Sequence, residues 1–132
     1  MAAVRPFTLP KAERLAGKRL VETLFKGGDS RSLVYFPLRA VYAWVEGGEA
    51  PVMMMVSVPK RCFKSAVCRN RVKRQVREAF RKHKHGLHEH VAEAGNSRSL
   101  ALAFIWLDNQ LHDSNEVERR VAGLLQRIGD RI

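Results

Sequence analysis

The 132-residue sequence has little that would suit a secreted or membrane protein. It contains two cysteines, Cys62 and Cys68, which are too few for a disulfide framework and are typical of reduced thiols in the cytoplasm. The longest strongly apolar run, residues 100–107, is far shorter than the roughly 18 residues of a membrane span. The first residues also lack the basic-then-apolar order of a secretion signal. We therefore expect a cytoplasmic protein that makes no membrane contact.

The familiar motifs of enzymes that carry their own catalytic groups are also missing. There is no glycine-rich phosphate loop and no Gly-x-Ser-x-Gly turn. Asp29, Asp108 and Asp113 are isolated in the sequence, whereas a two-metal site needs clustered carboxylates. The sequence therefore offers none of these recognisable sets of catalytic residues.

A histidine-rich stretch is the one candidate for a metal site. Its spacing is not the two-pair spacing of a tetrahedral zinc site, and the two cysteines are not spaced as a metal-binding pair. The alternative is a solvated, partly protonated segment that extends a basic surface, and we expect no metal bound by the protein. The residues concerned are His83, His85, His88 and His90, with Cys62 and Cys68.

What the sequence does contain is enough apolar material for one folded domain and a large excess of positive charge. Hydrophobic residues make up 45% of the chain, and 24 Lys and Arg face 13 Asp and Glu, for a net charge of +11. Residues 60–84 alone carry eleven basic residues and one acid, Glu78. Such a segment repels itself unless a polyanion supplies counter-charge, and nucleic-acid phosphate is the usual source. The alternative is a solvated basic helix without a specific role.

Hydrophobic periodicity and turn residues predict a single domain over residues 1–132 with its elements in the order α-β-β-α-β-α. Residues 1–10 are expected to be a flexible arm anchored by Phe7 and Leu9. The predicted elements are a helix over 11–26 in which Gly17 weakens or marks the start, a strand over 34–45 interrupted at Pro37, and a strand over 52–58 joined to it as a hairpin. A helix over 65–83, a polar connection over 86–97, a buried strand over 100–107 and a last helix capped by Asp113 or Ser114 follow.

The helix predicted over residues 65–83 is divided lengthwise. On a helical wheel, Val72, Val76, Ala79 and Phe80 form an apolar stripe, whereas most Lys and Arg, including Lys84, occupy the remaining arc and Arg69 lies at its edge. Arginine dominates the cationic side, and its guanidinium can contact two phosphate oxygens at once. The pattern therefore predicts binding to phosphates, largely independent of base sequence, and charge alone leaves RNA and DNA both open.

Residues 69–81, RNRVKRQVREAFR, are preceded by Ser-Val-Pro-Lys-Arg at 57–61 and by Ala66-Val67. This arrangement resembles the signature of the bacterial ribonuclease P protein subunit, which reads S-V-x-K-[KR], then A-V-x-R-N-R-[IV]-K-R, then R-[EQ]-[AS]-[FY]. The resemblance extends over about residues 10–128. It implies a single α+β domain in which helices pack on a small mixed sheet in the order α-β-β-(β)-α-β-α. The basic helix of this fold lies in a left-handed β-α-β crossover.

The resemblance also implies the partners. In that family the basic helix and the loop before it face the catalytic RNA subunit, which with Mg²⁺ removes the 5′ leader of precursor tRNA, and the protein is expected as a monomer in a 1:1 complex with that RNA. A cleft beside the first helix holds the leader, and the matching positions are Val21, Phe25 and Tyr42, for which plain core packing is the alternative. The matching RNA-binding positions are Lys60, Arg61, Arg69, Asn70, Arg71, Lys73, Arg74, Arg77 and Arg81.

A second hypothesis belongs to another class of protein. A ribosomal or nucleoid protein could use the same cationic helix on an RNA or DNA duplex without taking part in any cleavage. Such a module would have no preference for precursor over mature tRNA, whereas a ribonuclease P subunit would.

Overall fold

The computed structural model describes residues 11–15, 18–26, 29–46, 48 and 50–132. The expectations for the arm at 1–10, for Gly17 and for the glycines at 27–28 lie outside these residues. The elements are a 3-10 turn (Lys11–Glu13), α1 (Lys18–Lys26), β1 (Arg31–Tyr35), β2 (Leu38–Val45), β3 (Val52–Ser57), α2 (Ala66–His83), α3 (His85–Ala94), β4 (Ser99–Trp106) and α4 (Ser114–Arg131).

The four strands form one mixed sheet in the order β1-β2-β4-β3. β1 pairs with β2 and β2 with β4 in antiparallel fashion, whereas β3 and β4 are parallel. A strand in the middle of a sheet with both faces covered is apolar along its whole length. β4 fits this rule, since all but one of its residues are buried. The predicted α+β class and mixed sheet are confirmed, and α2 and α3 together form the crossover between the parallel strands; the handedness of that crossover stays a prediction.

The predicted hairpin between the strand at 34–45 and the strand at 52–58 is wrong. β4 lies between β2 and β3, so these two strands are not paired with each other. The hairpin instead joins β1 to β2 through a tight turn at Phe36-Pro37. β1 begins at Arg31, within a segment that the sequence favours as polar linker. An apolar pattern indicates which side of a strand is buried but not which strand lies beside it, and this is why the pairing was missed.

Two helices differ from their predicted bounds. The first predicted helix is a 3-10 turn at Lys11–Glu13 followed by α1, and between them Arg14 forms a β-bridge with Met54 at the free edge of β3. The predicted connection at 86–97 contains α3, which buries Leu87 and Val91 one turn apart. Two apolar residues among histidines and glutamates are too few to give a helical period, although four-residue spacing places them on one face.

The core lies on both faces of the sheet. On one face α2, α3 and α4 cover the strands, and the stripe predicted for the last helix is buried there, from Val117 to Ile128. On the other face α1 packs through Leu24 over the small residues Ala101 and Ala103 of β4. Met53 and Met54 of β3 are both buried in this core, and Met55 is half-buried. No helix in the described part of the chain is long and apolar enough to cross a bilayer.

Candidate nucleic-acid interface

α2 has the two-sided character that its sequence predicts. Ser65 caps the helix by accepting a hydrogen bond from the Cys68 backbone N–H at 3.4 Å. Val72, Val76 and Phe80 are fully buried against the sheet and α4. The opposite side and the loop before the helix face solvent. The exposed residues there are Lys60, Arg61, Asn70, Arg71, Arg74 and Arg77, and Lys73 is half-buried.

The protein's own acids neutralise only a small part of this cationic side. Nε and Nη2 of Arg81 both donate to the Glu78 carboxylate, with Nε donating to Oε2 at 3.1 Å. This contact lowers the pKa of Glu78 and raises that of Arg81, so both groups stay charged. Among the residues that the structure describes, no carboxylate lies within ion-pair distance of Arg71, Arg74 or Arg77. Their charge is therefore available to an external anion.

Arg69 has a different role from its neighbours on α2. Its guanidinium donates to the backbone carbonyls of Phe63 and Lys64, at 2.8 and 2.9 Å. The side chain therefore turns back toward the loop that carries Lys60 and Arg61 and holds that loop against the start of the helix. Arg69 lies beside the predicted interface, and the hydrogen bonds of its guanidinium are to the protein's own backbone.

The second candidate surface lies on the sheet face that α1 covers. α1 has nine residues, and the sheet residues Val41 and Met55 beside it are only half-buried. Val21 is half-buried against the core there, and Phe25, one helical turn further along, is 45% exposed. The floor beside α1 is formed by half-buried Val41 and Met55. The face therefore offers apolar surface next to an accessible aromatic ring, which is the combination that stacks single-stranded bases.

Comparisons with known proteins show the family to which this chain belongs. The family model described as Ribonuclease P matches residues 9–129. This chain belongs to the ribonuclease P protein family. A ribonuclease P protein component from Porphyromonas gingivalis is 38% identical over 133 residues, which cover 100% of this chain and 94% of that protein.

Solved structures of the ribonuclease P family have the same fold. The RNase P protein of Staphylococcus aureus superposes with a TM-score of 0.67 at 18% identity, covering 89% of this chain and 96% of that one. The RNase P protein from Thermotoga maritima also gives 0.67, at 22% identity, covering 87% and 96%. The mixed four-stranded sheet with the basic helix between β3 and β4 is therefore the fold of the family.

One residue that the family resemblance assigned to the leader cleft lies elsewhere. Tyr42 is only 3% exposed and belongs to the core under α2 and α4, on the opposite side of the sheet from Val21 and Phe25. The predicted place of Tyr42 in the cleft is wrong, because neighbouring residues of a strand point to opposite faces and the prediction was one residue out of register. Val41 and Ala43 are the residues of β2 that face α1.

Lys84 is a second correction. The wheel places it on the cationic side of the basic helix, but the helix ends at His83 and Lys84 is 4% exposed. Its Nζ donates to Glu13 Oε2 at 2.8 Å, and His88 Nε2 lies 3.1 Å from the other oxygen of the same carboxylate. Burial lowers the pKa of His88, which favours its neutral form. Lys84 therefore fastens the N-terminal segment to the protein and is not part of the interface.

The histidines, cysteines and acids of the described residues are dispersed. In the ranges that the structure describes, no three His, Cys, Asp or Glu side chains converge closely enough to hold an ion. His83 instead pairs with Glu118 at 3.0 Å, and Cys62 donates weakly to the Trp106 carbonyl at 3.6 Å. The donor set of the described residues therefore does not fit a protein-bound Mg²⁺.

Sequence reasoning did not assign a role to Arg14. This exposed residue lines a concavity with α2, although 55 residues separate it from Arg69 at the start of the basic signature. A helical wheel compares residues of one helix and cannot find such a neighbour.

Proposed function

We propose that this chain is the protein subunit of ribonuclease P and that it binds the RNA subunit through the cationic side of α2 and the loop before it. The observation that carries the proposal is the row of exposed arginines on α2, Arg71, Arg74 and Arg77, which have no acid partner in the described part of the protein. A rigid helix that presents guanidinium groups to solvent suits the phosphate backbone of a folded RNA.

We further propose that the open face beside α1 holds the single-stranded 5′ leader of precursor tRNA. Phe25 supplies an accessible ring, and half-buried Val21, Val41 and Met55 supply apolar surface next to it. Stacking of one base on an aromatic side chain contributes about 1–3 kcal/mol to single-strand binding. The protein thus contacts the RNA subunit and the leader through two different surfaces.

In this proposal the protein contributes binding and the RNA subunit carries out hydrolysis in the cytoplasm, as a 1:1 complex. The Mg²⁺ that cleavage requires is held mainly by the RNA, because the described side chains provide no cluster of ligands for it. The protein's part is to stabilise the working form of the RNA and to bind substrates that still carry a leader. Its cationic surface offsets the repulsion between the two RNAs as they approach.

Reconstitution tests the proposal directly. The full chain is combined with the matching ribonuclease P RNA at near-physiological Mg²⁺, and cleavage of precursor tRNA is compared with that by the RNA alone. We expect faster cleavage and a preference for precursor over mature tRNA in competition. Equal rates with and without protein would reject the proposal, and equal competition by the two tRNAs would favour a general nucleic-acid-binding module.

The leader surface is tested with Phe25→Ala. We expect the preference for precursor over mature tRNA to fall by about fivefold or more, which corresponds to loss of about 1 kcal/mol of stacking, while affinity for the RNA subunit is kept. Tyr42→Phe is the matched control, because this ring is buried on the other face and its hydroxyl makes no hydrogen bond within the described structure. An unchanged preference in Phe25→Ala would mean that Phe25 serves only in packing.

A further inference from the structure

The segment before α1 is anchored to the far end of the basic helix. Glu13 is buried, and its carboxylate lies between Lys84, at 2.8 Å, and His88, at 3.1 Å. Lys84 directly follows α2 and His88 lies in α3. A buried ion pair of this kind strongly penalises any movement that separates its charges. The backbone at Glu13 is therefore fixed relative to the C-terminal end of α2.

The next two residues are anchored to the sheet. Leu15 is buried in the core on the α1 face, and its backbone N–H donates to the Met54 carbonyl at 2.7 Å. Arg14 forms a parallel β-bridge with Met54, and its own N–H donates to the Lys11 carbonyl at 3.1 Å. Arg14 is exposed although the residues on both sides of it are buried. Its side chain thus projects to solvent from a backbone that is held on either side.

Arg14 and α2 line the same open concavity, which has a volume of about 380 Å³. Glu78, the one acid in the lining, already bonds Arg81. Arg14, Arg74 and Arg77 have no acid partner among the described residues and face a common space. An anion placed there would offset their mutual repulsion. The residues of α2 that line the concavity with Arg14 are Asn70, Arg74, Arg77, Glu78 and Arg81.

We propose that this concavity is a phosphate-binding groove for the RNA subunit and that Arg14 is one of its binding residues. The groove is built from two parts of the chain, since Arg14 provides one wall and α2 the other. A phosphodiester of the RNA backbone contacts Arg14 together with Arg74, and Asn70 can donate to a phosphate or ribose oxygen beside it. This inference rests on the proposed function, and it adds a second segment to an interface otherwise confined to α2 and its preceding loop.

Binding of ribonuclease P RNA to Arg14→Ala is the first test, with affinity measured from about 0.1 to 0.5 M salt. We expect about a tenfold loss of affinity and a log–log salt slope reduced by about 1. Arg14→Lys keeps the slope but recovers only part of the affinity, because an ammonium group lacks the two-point geometry of a guanidinium. Lys11→Ala is the control, since Lys11 is exposed in the same segment but does not line the groove, and it changes affinity by less than about twofold.

A double-mutant comparison shows whether two arginines share one phosphate. Arg14→Ala combined with Arg74→Ala weakens binding by less than the product of the single effects, whereas Arg14→Ala combined with Arg61→Ala gives the full product, because Arg61 lies outside the groove. Thermal melting of each variant, expected to match that of the unsubstituted protein, separates weakened binding from unfolding. The proposed groove would be overturned if Arg14→Ala lost no more affinity for the RNA than Lys11→Ala does. It would also be overturned if the losses of affinity in Arg14→Ala and Arg74→Ala multiplied in full. If α2 substitutions also left affinity unchanged, the proposed function itself would fail.

Discussion

The two longest helices of the described structure, α2 and α4, have the same length of 18 residues and pack against each other on one face of the sheet, yet their balance of charge differs. α4 carries four arginines and three acids, and α2 carries seven Lys or Arg and one acid. In α4, Arg120 lies 3.4 Å from Glu116, and the guanidinium groups of Arg120 and Arg127 are both 4.5 Å from the centre of the Tyr35 ring.

Gly123 makes the arrangement in α4 possible. It lies on the same side of the helix as Arg120 and Arg127, and a Cβ at this position would come within 2.8 Å of the Tyr35 ring. The ring of β1 can therefore pack closely against α4 and take up two cations from it. α2 has no such internal partner for Arg71, Arg74 or Arg77 in the described structure. Arginine content alone therefore does not distinguish α2 from α4, whereas a row of three exposed arginines without internal partners in the described structure does.

The largest effect on stability should come from substitutions on the buried sides of α2 and α4, because both helices pack into the same core. Phe80 in α2 and Leu124 in α4 are both fully buried in the same core. We expect Phe80→Ala to cost about 3–5 kcal/mol of unfolding free energy and Leu124→Ala about 2–5 kcal/mol, because each leaves a cavity. Urea denaturation measures both. A loss below about 1 kcal/mol at either position would mean that its helix is not held by the core as described.

The exposed sides should separate the two helices. We expect Arg71→Ala with Arg74→Ala to weaken binding to ribonuclease P RNA on the order of 100-fold, since each charged hydrogen bond contributes about 1.5 kcal/mol or more. The salt slope should fall by about 2. The matched variant is Arg119→Ala with Arg131→Ala, two exposed arginines of α4 whose loss removes the same charge. Filter binding at several salt concentrations compares them, and equal losses would contradict the contrast between α2 and α4.

Some of the features that distinguish α2 and position it in the fold could be predicted from the sequence, and others could not. The stripe of Val72, Val76 and Phe80 and the cationic arc opposite it follow from helical periodicity, because both are properties of one helix. The strand at 99–106 was also predictable, since a continuous apolar run indicates burial on both faces. Its place between β2 and β3 was not, because pairing is decided by the whole sheet and leaves no mark within one strand.

Long-range contacts account for the rest of what the sequence could not give. Tyr42 was assigned to the wrong face by a shift of one residue around Pro37, and such a shift exchanges every buried and exposed side chain of a strand. The burial of Glu13 with Lys84 joins residues 71 positions apart, and both types are ordinarily found at the surface. Arg14 gains its place at the groove from these same contacts, so no local pattern could indicate it.

The N-caps offer a smaller test of the difference between the helices. Asp113 caps α4 by accepting a hydrogen bond from the Glu116 backbone N–H at 2.8 Å. Its negative charge also interacts favourably with the positive N-terminal end of the helix dipole. Ser65 caps α2 by accepting a hydrogen bond from the Cys68 backbone N–H at 3.4 Å, and its hydroxyl carries no charge. We expect Asp113→Ala to cost about 1 kcal/mol or more and Ser65→Ala about 0.5 kcal/mol. Equal losses in thermal melts would show that neither charge nor distance distinguishes the caps.

The smallest expected effect is a pH dependence of opposite sign near the two helices. A hydrogen bond to Asp108 raises the pKa of His112, before α4, above its ordinary value of 6.5, so its contribution to stability is full below pH 6.5 and is lost as pH rises through the raised pKa. Burial lowers the pKa of His88, beyond α2, so its contribution is present above pH 6.5 and is lost as pH falls through the lowered pKa.

Urea unfolding of His112→Gln and His88→Gln between about pH 5.5 and 8.5 measures these contributions. For the partly buried pair of His112 and Asp108, the contribution to stability should be below about 1 kcal/mol. The stability deficit of His112→Gln relative to the unsubstituted protein should shrink as pH rises. The deficit of His88→Gln should shrink as pH falls. Parallel pH profiles for the two variants would contradict the assigned surroundings of the two rings.

The parallel pairing of β3 with β4 has a consequence for how the protein is made. Because β4 follows α2 in the chain and lies at the centre of the sheet, a growing polypeptide that has not yet reached Trp106 has no completed sheet on which Phe80 can pack. Parallel neighbours joined by a long crossover form late, since distant parts of the chain must meet first. The arginines of α2 therefore take up their final arrangement only after β4 has been synthesised.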